Sequence, residues 1–160
     1  MKLIYAFLRS FFISPELLVS VFGFALFEMR PHWFAFLSER IGSQLELLKY
    51  VGLLPAGLFA FDANIGRNVL LPNADKGTIL QSWPLYGELK CSVGVGVLYG
   101  FIFAVAGIAT LLFDWKNPAA CQSALLVTSL AGALIASATL FYANVKMEEM
   151  FRQFGSKQSP

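Results

Sequence analysis

Hydroxyl side chains are the chemistry this sequence offers most plainly. Ser123, Thr128, Ser129, Ser137 and Thr139 recur along one apolar stretch near the C-terminus. Hydroxyls spaced along a helix can line a wet pore, offering oxygens to a partly hydrated ion. They serve equally well bonded to carbonyls of their own preceding turn, with no further role. Thr128, Ser129, Ser137 and Thr139 are the pore-lining candidates, and both uses stay open.

Catalysis is poorly served. The single histidine, His32, has Glu28 one turn before it and Trp33 beside it, and it reads as structural. No His-Glu-x-x-His, Gly-x-Ser-x-Gly or phosphate-loop motif is present, so an enzyme is not expected, nor any cofactor or metal. No Asp, Glu, Lys, Arg or His occurs in 91–113 or in 119–145. Coupled transporters keep such groups at membrane depth because they are costly there and must do something. That argues against ion-coupled transport. Ser92-Val93-Gly94-Val95-Gly96 resembles a potassium-channel filter string, but no pore helix with its Thr and Trp precedes it.

The polar stretch from Asp62 to Lys90 is the candidate sensing element. Arg67, Lys76 and Lys90 are placed to meet phosphate oxygens, and Trp83 or Tyr86 to stack on a base. Asp62, Asp75 and Glu88 offset that charge, so a purely structural, interfacial loop is the competing reading. Pro72 to Gly77 reads as a turn between Asn68–Leu71 and Thr78–Gln81, which together suggest a small β-hairpin.

The elements that must position these groups are helical. Two uncharged runs, Cys91 to Phe113 and Ala119 to Val145, are each long enough to cross a bilayer with some tilt. The short link Asp114 to Pro118 makes them an antiparallel hairpin. Gly96, Gly100, Ala104 and Gly107 put small residues on one side of the first run, and Gly132 and Ala136 answer them on the second. Helices in lipid associate by such close packing, either within the hairpin or between subunits. The two cysteines, Cys91 and Cys121, begin the two runs. On opposite sides of a core roughly 30 Å thick they are too far apart to pair within one chain.

Upstream, Ser14-Pro15-Glu16 starts a helix, with Ser as N-cap, Pro in the first position and Glu at the positive dipole end. Short hydrophobic helices are expected over 14–29 and 44–62, the second opened by a Ser43/Glu46 capping box and containing Pro55. Residues 28–50 otherwise read as an interfacial belt around Trp33. Leu3, Ile4, Phe7, Leu8, Phe11 and Phe12 form a stripe at helical spacing, suited to an interfacial helix over 1–13 or to the first turns of a span. Arg9 breaks the apolar start and no small-x-small cleavage site follows, so a cleaved signal is not expected. Residues 146–160 are expected to extend the last helix to about Phe154 and then form a tail.

Composition agrees with a membrane setting. Hydrophobic residues make up 57% of the 160 residues and charged ones 14%, against roughly 25% charged in soluble domains. Lysine and arginine set the orientation. A four-span arrangement puts eight of them on the side of the C-terminus and the 63–90 loop, and four opposite; a two-span arrangement puts eleven against one. Either way the C-terminus and the loop are cytoplasmic.

The expected fold class is therefore an all-α integral membrane protein. It has a C-terminal transmembrane hairpin, two shorter N-terminal hydrophobic helices and a cytosolic loop. In the hairpin of residues 91–145 and the cytosolic loop of 62–90, the chain resembles the small transmembrane effectors of bacterial anti-phage defence systems. Among these it is similar to the channel-forming effector of the Hailong type, in layout and without a diagnostic motif. The resemblance implies a homo-oligomeric ion channel of the bacterial inner membrane, with a tetramer as working stoichiometry. It also implies a cytosolic nucleotide or single-stranded DNA oligomer as ligand, with Arg67, Lys76 and Lys90 the first residues to test. A non-conducting membrane anchor for a cytosolic partner and a holin-like lesion protein are the alternatives.

Overall fold

The computed structural model describes residues 9, 11–71, 86–113 and 120–155. They form five helices: α1 (Pro15–Met29), α2 (Pro31–Gly42), α3 (Leu45–Leu70), α4 (Tyr86–Thr110) and α5 (Ala120–Gly155). There is no strand among the described residues.

Local chemistry explains the start of α1. The Leu17 N–H donates to Ser14 Oγ at 3.2 Å, and Pro15 occupies the first helical position. That is the expected cap. At the other end the Arg30 N–H bonds back to the Leu26 carbonyl at 2.9 Å, and Pro31 opens α2 immediately. Residues 31–42, read from sequence as part of an interfacial belt, are thus a helix, because Pro31 presets its first turn. Trp33 is exposed beside the Arg30 guanidinium, 5.6 Å from its ring centre.

Ser43 does not open α3. Its hydroxyl donates to the Arg40 carbonyl at 2.7 Å and closes α2, while Gln44 precedes α3 without a side-chain cap. The expected capping box is therefore corrected. α3 also runs to Leu70 rather than ending at 62, so Asn68 to Leu70 are helical, not a strand. Likewise α4 begins at Tyr86, five residues before Cys91. The expected 63–90 loop is shortened from both ends. Its middle, with Lys76, Trp83 and the strand expected over Thr78–Gln81, lies outside the described residues, as do the 114–118 link and residues 1–8. The last helix continues through 154, as expected.

Helices α3, α4 and α5 pack on one another, and α1 and α2 lie against α5. Close approach follows the glycines. On the α3 side of α4, Gly107 meets Pro55, Gly100 meets Phe59 and Asp62, and Val93 and Val97 meet Gly66. On the α5 side, Gly96 meets Leu140, and Gly132 of α5 receives the Phe103 ring. The small residues of α4 thus serve two partners. Gly96 and Gly132 act in the α4–α5 contact, while Gly100 and Gly107 belong to the α3 seam. Ala104 and Ala136 are buried at 4% and 0% exposure.

The outer faces are apolar. Leu18, Val21, Phe22 and Phe24 on α1, Phe101, Ile102, Val105 and Ile108 on α4, and Leu134 and Phe141 on α5 are all exposed. Two helices are long and apolar enough to cross a membrane, Tyr86–Thr110 and the Ala120–Met150 part of α5. The first, with 25 residues, is about 37 Å long.

Candidate functional site

Two residues of α5, Ser137 and Thr139, organise the polar interior. Residues two apart on a helix differ by about 200° in direction and only about 3 Å in height. Their side chains therefore leave opposite flanks of α5 at one level. Each flank receives a carboxylate from a different helix.

On one flank, Thr139 Oγ1 donates to Glu16 Oε1 at 2.7 Å. Glu16 is only 3% exposed. Its place in the first turn of α1 was legible as a match to the helix dipole, but its burial against α5 was not. Nearby, Tyr99 is buried, stacks on Phe11 with ring centres 5.0 Å apart, and donates its hydroxyl to the Phe11 carbonyl at 3.3 Å.

On the other flank stands Asp62 of α3, fully buried. Ser137 Oγ is close enough to act on its carboxylate but outside hydrogen-bond geometry. Neither Asp62 oxygen nor Ser137 Oγ has a partner. Gly100, the neighbour of Tyr99 on α4, faces Asp62, and a Cβ there would stand 3.2 Å from Asp62 Oδ2. Asp62, Gly100, Tyr99, Ser137, Thr139 and Glu16 thus form one polar layer. Apolar side chains, Leu140 toward one end and Phe103 and Ala133 toward the other, border it on α4 and α5.

The pore-lining candidates are accordingly turned into their own chain. Ser129 is 1% exposed and donates to the Leu126 carbonyl at 2.9 Å, the local bond open to any helical hydroxyl. Thr128 is half-buried and packs on Gly23 of α1. Ser137 and Thr139 meet the two carboxylates. Ser123 reaches the Phe34 carbonyl at 2.6 Å and ties α2 to α5.

Of the ligand candidates, Arg67 and Lys90 are exposed, on the last turns of α3 and the first turns of α4. Tyr86 is not a stacking platform. Its ring is 9% exposed, in one core cluster with Val69 and Met147, and its hydroxyl donates to the Val69 carbonyl at 3.1 Å. Lys90 Nζ sits 5.6 Å from that ring's centre. The sequence therefore supplied a surface role for a residue whose hydroxyl closes the α3–α4 seam.

Both acidic members of the layer were missed as site residues. Asp62 follows an uncharged run, and from sequence alone it looks like the start of a loop. The available signal was helical phase, since Pro55, Asp62 and Val69 lie seven apart and share one face. The absence of charge in 91–113 and 119–145 still holds, but α1 and α3 bring carboxylates to those helices.

The two flanks make a testable contrast. Thr139→Val leaves the buried Glu16 carboxylate without its donor, at a cost of about 1–3 kcal/mol. Thermal melting in detergent micelles is expected to fall for Thr139→Val and to be largely retained in Thr139→Ser. Compared with known proteins, the chain matches no family model, no curated protein and no solved structure.

Proposed function

We propose that this chain is a multi-pass membrane protein of the bacterial inner membrane that conducts ions, and that it is not an enzyme. The observation that carries the reading is the inversion of polarity. Apolar side chains cover the outside of α1, α4 and α5, while two carboxylates and three hydroxyls are gathered between the helices. Ionisable groups at membrane depth face a bundle interior or a water-filled path and mark ion routes. Lipid suits the outer face, and an ion suits the layer.

In this proposal α4 and α5 cross as an antiparallel pair, a reading supported by the pairing of Gly96 with Leu140 and of Phe103 with Gly132. The ion path runs through the polar layer of each chain's own bundle, and copies associate around it. Backbone left open at Gly87 and Gly94, seven residues apart on α4, suits close approach by a second copy. Arg67, Lys90 and the Met147 turn of α5 share one end of the bundle, because Met147 packs with Val69 and Tyr86. The excess of lysine and arginine supports a cytoplasmic assignment for that end. There, Arg67 and Lys90 would receive an anionic cytosolic ligand that controls opening, as for a defence effector.

The test is membrane depolarisation, followed with a potential-sensitive dye in cells induced to express the chain. Depolarisation is expected, and Gly100→Leu is expected to suppress it without loss of membrane insertion, because its side chain enters the space beside Asp62. Full polarisation with the protein present in the membrane fraction would count against conduction by the chain alone.

A further inference from the structure

Three oxygens in the polar layer make no hydrogen bond, although Ser137 stands beside Asp62: both carboxylate oxygens of Asp62 and the hydroxyl oxygen of Ser137. Glu16, by contrast, has Thr139 as a donor. The elements packed around Asp62 bring no cation to it. α4 presents Gly100, α5 presents Ser137, and α3 itself presents Phe59 beside them. Residues 91–113 and 120–145 contain no Lys, Arg or His, and Arg67 of α3 is exposed. A carboxylate buried in apolar surroundings without a partner is among the costliest arrangements a fold can hold.

We propose that Asp62 Oδ1 and Oδ2 together with Ser137 Oγ bind an alkali-metal cation, the ion that the conduction reading above leaves unnamed. Charge selects the valence. One carboxylate balances a monovalent ion, whereas a divalent ion would leave a net positive charge buried. Ligand type selects the class, because hard cations take oxygen donors from carboxylates, hydroxyls and water. Gly100 lets the carboxylate approach α4, since a Cβ there would stand 3.2 Å from Asp62 Oδ2.

The experiment measures binding without relying on flux. The full chain, purified in detergent micelles, is treated with dicyclohexylcarbodiimide, which modifies carboxyl groups in apolar surroundings. Modification of Asp62 is followed by mass spectrometry of peptides, in sodium, potassium or choline chloride at equal ionic strength. Sodium or potassium is expected to slow the modification of Asp62 saturably, with choline without effect. Ser137→Ala is expected to raise the protecting concentration by about tenfold or more. Equal modification rates in all three salts would overturn the site and leave Asp62 as a proton-binding group. A carboxyl that is unmodified even in choline chloride would overturn it as well, since no small solute then reaches it. Protection without depolarisation in cells would keep the cation site and remove the conduction reading, and depolarisation without protection would do the reverse.

Discussion

Gly107→Ala is expected to destabilise the bundle, while Gly57→Ala leaves it unchanged or more stable. A Cβ at Gly107 would lie 2.8 Å from Pro55 Cγ, 3.1 Å from Pro55 Cβ and 3.0 Å from the Gly52 carbonyl oxygen. None of these atoms moves by a rotamer change. Two belong to a proline ring inside α3 and one to its backbone, so α3 and α4 must separate. Overpacking of this kind costs about 1–3 kcal/mol, and the two helices also lose fit along the seam at Gly100 and Gly66. Ala in place of Gly within a helix returns up to about 1 kcal/mol, too little to change the sign. Gly57 lies on the same helix as Pro55, with nothing within 4 Å of its Cβ direction, so only the propensity gain remains. Thermal unfolding in micelles, followed by circular dichroism, separates the two. Equal melting temperatures would mean that α3 and α4 do not meet at Pro55 and Gly107.

That seam marks the boundary of what the sequence made legible. The start of α1 was readable because capping is local chemistry, confined to Ser14, Pro15 and Leu17. That 91–113 and 119–145 would hold long helices was readable because an uncharged run of that length has few other structures, although α4 starts five residues earlier, at Tyr86. The end of α3 was not. Asp62 and Arg67 look like an exit from the apolar phase, and only packing against α4, through Pro55, Asp62 and Gly66, explains why the helix continues. The α4 glycines show a related limit. A run of small residues announces close packing but not the partner, and residues four apart, Gly96 and Gly100, proved to serve different helices. Hydroxyl spacing along α5 likewise says nothing of what each hydroxyl meets. Ser129 bonds its own helix, Thr139 reaches both the Ala136 carbonyl of its own helix and a carboxylate from α1, and Ser137 faces one from α3 without bonding it. The site is assembled from residues 16, 62, 100, 137 and 139, and no local motif joins them.

Asp62→Ala is expected to remove ion conduction while leaving the chain as stable as before or more so. Most core substitutions destabilise, by about 0.5–3 kcal/mol, because they delete contacts that were satisfied. Here the deleted group has two buried oxygens with no partner, and leaving a polar group unsatisfied costs about 1–3 kcal/mol or more when it is charged. Removing it relieves that cost and places the best helix former inside α3. The opposing term is a small cavity beside Gly100. The balance favours a melting temperature equal to or above that of the parent when both are measured in choline chloride. In an alkali chloride the parent should recover, because a ligand bound only by the folded state adds stability. The matching change on the other flank of α5, Thr139→Val, is expected to lower the melting temperature. Two substitutions in one polar layer should thus move stability in opposite directions, because one carboxylate is bonded and the other is not. If Asp62→Ala melted well below the parent and still depolarised cells, Asp62 would be a structural group. The ion path would then have to lie along the Glu16 flank.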